Sequence, residues 1–198
     1  MDFYDELNAK LRKKREDMKE KYHRVLPTNE LFFDRWEKAK YLNAGEGTTI
    51  YDTSIIMGDV KIGKYVWIGP YTLLEGSNAA LSIGNHVSID AGVMIYTHDS
   101  TKFYVSGGKN AFEKGNVSIG DNTVIGSMSM ISCGVAIGRH CVIGAHSFVN
   151  CSIPDYSIAA GIPAKIIGKV VMDKEGNVHF VYSEKNDREE KRHECTDN

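Results

Sequence analysis

The stretch Ile119-Gly-Asp-Asn-Thr-Val-Ile125-Gly-Ser-Met-Ser-Met-Ile131-Ser-Cys-Gly-Val-Ala-Ile137-Gly-Arg-His-Cys-Val-Ile143-Gly-Ala-His-Ser-Phe-Val149 places an aliphatic residue at every sixth position. Four places after each aliphatic residue stands a small or β-branched one: Thr123, Ser129, Val135, Cys141, Ser147 and Ile153. A step of six matches neither the 3.6-residue period of an amphipathic helix nor the alternation of a half-buried strand. It fits a short flat strand followed by a corner, with two of the six residues pointing inward. Three such strands close a triangular coil. A bulky Ile then fills the prism, and the small residue at the fourth place leaves it room. Coils stacked about 4.8 Å apart, the spacing of any sheet, bury their apolar faces only against each other, so the array is a solenoid.

The same step extends toward the N-terminus through Ile50, Ile56, Ile62, Ile68 and Leu74, and then through Ile83, Ile89 and Ile95. The fourth-place residues there are Ser54, Val60, Val66, Thr72, Val87 and Val93; only Asn78 and Asp99 break the rule, each where a run is interrupted. Glycine follows the aliphatic residue at positions 63, 69, 84, 120, 126, 138 and 144, which accounts for much of a composition with 19 Gly against 4 Pro. Its expected use is backbone freedom at the corner. Two irregularities stand out. From Leu74 to Ile83 is nine residues, a three-residue insertion at one corner. From Ile95 to Ile119 is 24 residues, and the intermediate positions Thr101, Gly107 and Glu113 cannot fill a core. The stretch from about His98 to Asn116 is therefore an extruded loop, the kind of segment that carries function on a rigid scaffold.

Outside the repeat, residues 1–45 form a helical segment. Met1 to Arg24 is charged with Leu7, Leu11, Met18 and Tyr22 near helical spacing. Pro27 interrupts it, and Thr28 or Asn29 caps a second helix carrying Phe32, Trp36 and Ala39 on one face. The coil domain spans 46–169. Residues 170–198 follow, with Lys165 to Val171 and Asn177 to Tyr182 flanking Asp173-Lys-Glu-Gly176 as a hairpin, and a charge-rich, disordered tail from Glu184 to Asn198.

Lys plus Arg number 24 and Asp plus Glu 26, so there is no electrostatic footprint for nucleic acid. The charged start lacks the apolar core of a secretory signal, and no apolar run is long enough to cross a bilayer. Cys133, Cys141, Cys151 and Cys195 show neither CxxC pairing nor metal spacing, which fits a reducing cytoplasm. Cys133 and Cys151 are 18 residues apart, one full coil, and so stack within disulfide reach; two reduced thiols are the expected state.

The repeat resembles the hexapeptide-repeat acyltransferases over about Ile50 to Lys169. More narrowly, Ile95-Tyr-Thr-His-Asp-Ser100 opening a loop, followed by Ile119-Gly-Asp-Asn-Thr-Val-Ile-Gly-Ser127, resembles the sugar O-acetyltransferases, including those acting on cell-surface polysaccharides. The ending Ile153-Pro-Asp-Tyr-Ser-Ile-Ala-Ala-Gly-Ile-Pro-Ala-Lys165 is similar to that branch's closing signature. The resemblance implies a left-handed parallel β-helix, an all-β fold. It also implies a homotrimer with acetyl-CoA in a groove between two subunits, and His98 as the catalytic base.

Acyl transfer from a thioester needs a base, donors for the oxyanion and a slot for CoA. Histidine suits the first because imidazole titrates near neutrality. His86, His98, His140 and His146 all stand three places after an aliphatic residue and face outward. The first, third and fourth read as ordinary surface residues; His98 alone sits at the mouth of the loop. Asp99 or a backbone carbonyl is expected to orient it, with Glu75 a further candidate for contact with the acceptor or with His98. Thr72 stands where related galactoside enzymes place an acceptor-binding Asn. Phe103, Tyr104 and Lys109 form either an acceptor wall or a packing surface for the loop.

For acetyl-CoA the resemblance points to Ser127, to the backbone at Gly126 and Ala145, and to Asn150 and Lys165. Cys151 replaces the Lys common in the family, so Lys165, Lys169 or Arg139 would meet the phosphates. No metal is expected. Transfer to an amine of a sugar or nucleotide-linked sugar remains open beside O-acetylation. So do a zinc-dependent γ-class carbonic anhydrase, whose His-x4-His pair is missing, and a non-catalytic assembly module.

Overall fold

The structure, a computed structural model, describes residues 2–183; Glu184 to Asn198, including the charged tail and Cys195, lie outside the described residues. The expected aliphatic positions build a parallel β-solenoid. Ile50, Ile68, Ile89, Ile125 and Ile143 stack in register on one face. Ile56, Leu74, Ile95, Ile131 and Val149 form the second. Ile62, Ile83, Ile119, Ile137 and Ile153 form the third. Apart from half-buried Ile56, all are at most 9% exposed and form one core.

The fourth-place hydroxyls have a use that volume alone does not explain. Thr123 Oγ1 accepts from Cys141 N–H and donates to Gly138 O, and Ser129 Oγ accepts from Ser147 N–H and donates to Gly144 O. These two buried hydroxyls are thereby satisfied by the coil above them, which is how Ser and Thr can be accommodated inside the prism.

The glycines after the aliphatic residues do something other than expected. Gly63, Gly69, Gly84, Gly120, Gly126, Gly138 and Gly144 all lack a positive φ. The left-handed conformation falls two places later, on Tyr65, Tyr71, His86, Asn122, Met128, His140 and His146, and likewise on Tyr156, two places after Pro154. What the glycine supplies is room between coils: a Cβ on Gly120 would lie 2.5 Å from Arg139 N, and one on Gly126 would lie 2.6 Å from Ala145 N. Backbone cannot yield as a side chain can. Gly120→Ala is therefore expected to destabilise the protein by about 3 kcal/mol, the upper end of overpacking costs. Gly134→Ala, in open space at φ 77, should cost about 1 kcal/mol for the left-handed strain alone. Urea unfolding of both variants checks the order; equal losses would show that conformational freedom dominates at both sites.

The irregularities shape the rest. Leu73–Ile83 runs as one strand through the three-residue insertion, pairing with Ile55–Ile62 across a register shift between Gly58 and Val60. The long loop leaves after Thr97: His98–Asp99 pairs antiparallel with Glu113–Lys114, and a short helix, Thr101–Val105, sits at its tip. At the N-terminus, helix α1 (Phe3–Tyr22) contributes no buried residue. The single second helix expected after Pro27 is two helices, α2 (Asn29–Phe32) and α3 (Arg35–Tyr41). Asp34 divides them, since its carboxylate accepts from the N–H groups of Trp36 and Glu37 as the N-cap of α3. Leu31 and Ala39 are buried, whereas Phe32 and Trp36 stay about half exposed. At the other end, Ala164–Met172 folds back on Ser157–Gly161 and pairs with Val178–Tyr182 as the expected hairpin.

Candidate functional site

The period breaks at the corner between the second and third faces, and there the structure gathers a hydrogen-bonded cluster. Glu75 follows Leu74, where many other repeats have glycine, and its carboxylate turns into the corner, only 3% exposed. Its Oε1 accepts from Ser77 N–H at 2.6 Å. Its Oε2 accepts from Thr97 N–H at 3.0 Å and from Thr97 Oγ1 at 2.9 Å, and lies 3.0 Å from His98 Nδ1. Burial pushes this carboxyl upward, but the hydrogen bonds from Thr97, His98 and Ser77 outweigh it and hold the pKa at about 2. A carboxylate at Nδ1 is an acceptor only, so the neutral ring carries its proton there and presents Nε2 as a free base.

The partner of His98 is thus Glu75. Asp99, the expected alternative, turns its carboxylate to the Thr101 N–H at 2.7 Å and starts the loop helix, a contact that also holds its pKa below the usual range. The other face of the imidazole is packed by Phe112, nearly parallel at 5.8 Å between centroids. Phe112 was not singled out by the sequence, because the loop has no periodicity to mark it. It meets Phe103 edge-on at 5.0 Å and Tyr104 at 6.5 Å. Phe103 and Tyr104 therefore share one aromatic cluster with His98. Lys109 is exposed beside Gly107 and Gly108, its N–H donating to Ser106 Oγ, and Lys102 pairs with Glu113 across the loop. The sister histidines differ: His86 stacks on Tyr65 and His140 on Tyr156, each at 4.8 Å, while His146 is exposed; among the described residues none is hydrogen-bonded or ion-paired to a carboxylate.

Thr72 is placed otherwise than expected. At 1% exposure it lies inside the prism, and its hydroxyl has no partner, so it has no path to an acceptor. The residues expected at CoA occupy two corners. Ser127 and Ala145 line the corner between the first and second faces. Lys165, opposite Ala160, adjoins its end, and Ala160 stacks on Gly144. The N–H of Gly126 is committed to Ile143 O, which leaves its carbonyl for pantetheine, whereas the N–H groups of Ser127 and Ala145 make no hydrogen bond among the described residues. Asn150 and Cys151 lie along the other corner, that of His98 and Cys133. Cys133 and Cys151 are not bridged. Arg139, one fallback for the phosphates, is held by Asp155 at 2.9 Å. Between the two corners the second face turns outward Ile55, Leu73, Met94, Met130 and Phe148, an apolar row in register. No group of three or more His, Cys, Asp or Glu that could hold a metal occurs among the described residues.

The bacterial transferase hexapeptide family (six repeats) matches residues 108–151. Among solved structures, a point mutant of AntD, an N-acyltransferase from Bacillus cereus in complex with dTDP and coenzyme A, is similar at 27% identity. The likeness covers 64% of this chain and 72% of that one, with a TM-score of 0.59. The hexapeptide-repeat-containing acetyltransferase VCA0836 from Vibrio cholerae is similar at 22% identity over 81% of this chain and 91% of that one, TM-score 0.62. Its complex with acetyl coenzyme A, from Vibrio cholerae O1 biovar eltor, gives 22%, 81% and 87%, TM-score 0.62. No curated protein matches the sequence. The repeat and the fold are those of the hexapeptide-repeat acyltransferases.

Proposed function

We propose that the protein is an acetyl-CoA-dependent acetyltransferase that acylates a saccharide hydroxyl, with His98 as general base. The observation that carries this reading is the Glu75–His98 pair: a half-buried imidazole held by a buried carboxylate at the mouth of the extruded loop. Glu75 holds the proton on Nδ1, and Nε2 takes the acceptor's proton as its oxygen attacks the thioester carbonyl. The Ser127 N–H is the candidate donor to the oxyanion, an interaction typically worth about 2.7–4 kcal/mol. The proton on Nε2 then passes to the CoA sulfur as it leaves. Phe103, Tyr104 and Phe112 offer flat faces for a sugar ring, and Lys165 meets the CoA phosphates.

Because His98 and the Ser127–Ala145–Lys165 group occupy different corners, a homotrimer fits the reading best. One subunit supplies His98 and its neighbour the CoA-binding corner, and the apolar row on the second face is covered. The setting that suits such an enzyme is cytoplasmic cell-surface polysaccharide synthesis. No helix among the described residues is long and apolar enough to cross a membrane. An inert assembly module would explain the coils but not a buried carboxylate aimed at a loop histidine.

A second reading, transfer to an amine on a nucleotide-linked sugar, is favoured by the likeness to AntD, an N-acyltransferase bound to dTDP. A thiol-release assay with acetyl-CoA against sugars and nucleotide sugars tests both. Release with a neutral sugar, giving a product that hydroxylamine cleaves, supports the ester; a resistant product supports the amide. No release and no binding of acetyl-CoA would remove the enzyme reading.

A further inference from the structure

Two coils away from His98, the N-terminal helices and the first coil enclose a cleft of about 360 Å³ that acyl transfer does not use. This is within the size range of small-molecule sites. Its floor is Tyr51, and two half-buried guanidinium groups converge on the phenol. Arg24 Nη2 donates to Tyr51 Oη, and Arg35 Nη1 reaches the same oxygen at 3.5 Å. Both guanidiniums also lie over the Tyr51 ring, at 5.6 and 5.1 Å from its centroid, and Arg35 lies 5.0 Å from that of Trp36.

Among the described residues neither arginine has a carboxylate within ion-pair distance. The acids that line or adjoin the cleft are engaged elsewhere. Glu30 accepts from Thr53 N–H and Oγ1, Asp34 caps α3, and Asp52 is taken by Lys38 and Asn29. Glu37 and Lys14 stand at the exposed rim. Half-buried like charges brought onto one neutral oxygen repel, and removal from water costs each of them; an anion between them reverses both terms. Tyr51 accepts twice and still has its own proton to give, with no acceptor for it among the described residues. Two guanidinium groups and one hydroxyl therefore gather at the Tyr51 oxygen, each with N–H or O–H donors beyond those used there. Above them Trp36, Phe32 and Phe33 are each about half exposed, flat apolar walls that suit a ring.

We propose that this cleft binds an oxyanion carried on a ring, a phosphate or carboxylate attached to a sugar or nucleoside, with Arg24, Arg35 and Tyr51 holding the anion and Trp36 facing the ring. The site is independent of the acyl-transfer reading and stands whether or not that reading survives.

Intrinsic fluorescence reports on it directly. The chain has two tryptophans: Trp36 lines the cleft, and Trp67 meets the Tyr51 ring edge-on at 6.0 Å. Full-length protein is titrated with glucose 1-phosphate, glucuronate, inorganic phosphate and neutral glucose. A saturable change with glucose 1-phosphate, glucuronate or both is expected, weaker with inorganic phosphate and absent with glucose. The arm that saturates identifies the source as a phosphate ester or an acidic sugar. Arg24→Ala and Arg35→Ala should each raise Kd by about 10–100-fold, the loss of a charge-assisted hydrogen bond. Arg35→Lys should retain part of the binding, and Lys10→Ala, an exposed residue paired with Glu6, all of it. Circular dichroism melts show whether each variant folds, and Arg35→Lys keeps the test open if an alanine variant does not. No saturation by either anionic sugar overturns the site, as does binding that survives in both folded alanine variants. Equal affinity for glucose removes the role of charge, and equal affinity for inorganic phosphate removes the ring contact with Trp36.

Discussion

His98→Ala is expected to lower kcat for acetyl transfer by about 10²–10⁴, the range that a positioned general base contributes. KM for acetyl-CoA should move little, because Ser127, Ala145 and Lys165, the groups proposed to hold most of the CoA, sit on another corner of the prism. The fold should survive. The ring is one-quarter exposed and belongs to the loop rather than to the coil core, and its loss removes one stacking contact with Phe112 and one hydrogen bond to Glu75. Steady-state thiol release at saturating acetyl-CoA, with unfolding monitored on the same preparations, measures both quantities. His86→Ala and His146→Ala are the internal controls. They change histidines at the same place in the repeat that lack a carboxylate partner and whose left-handed φ marks them as corner residues. If His98→Ala retains wild-type turnover, or if a sister histidine costs as much, the base is not His98.

The core was legible in the sequence because each coil repeats one local rule, so the periodicity of Ile, Val and Ser states the three-dimensional contact pattern almost directly. What the period could not state was what each residue meets in the next coil. Gly120 looked like a flexible corner because its own neighbours in sequence suggest one. Its actual constraint is Arg139 N, 19 residues further on. The break between α2 and α3 was missed for a related reason: Phe32 and Trp36 have helical spacing, but Asp34 between them competes for the backbone N–H groups as a cap.

At the candidate site the same distinction holds. His98 was legible because it stands where the period stops. For its partner the sequence left Asp99, a backbone carbonyl and Glu75 open, since neighbours along a strand face opposite ways and no local pattern reaches across coils. Glu75 is 23 residues from His98 and reaches it because coils stack. The available signal was local: a carboxylate in the position that many other repeats give to glycine, at the edge of the insertion. Phe112 and the arginine pair on Tyr51 had no such signal, since they arise from a loop and from helices folding back on the first coil.

Replacing Glu75 by Gln tests whether the buried carboxylate orients His98 or merely fills the corner. A Gln amide can donate to Nδ1, which favours the tautomer with its proton on Nε2 and removes the base. The expected loss in kcat is about 10²–10⁴ with KM for acetyl-CoA unchanged, because loss of an orienting carboxylate costs nearly as much as loss of the base. The same substitution has a signature in acid. The carboxyl titrates at about 2 in the folded protein against an ordinary 4.5, so it contributes stability that is fully present above pH 4.5 and is lost as pH falls through 2. That difference corresponds to about 3 kcal/mol. Urea unfolding at fixed protein concentration should show wild type losing this increment more than Glu75→Gln between pH 5 and pH 2. The two readouts separate the roles. A Gln variant with the altered acid profile but wild-type kcat would make Glu75 a structural carboxylate and leave Phe112 to set the ring. A variant with lost turnover but an unchanged profile would mean that the hydrogen bonds from Thr97 and Ser77 do not depend on its charge.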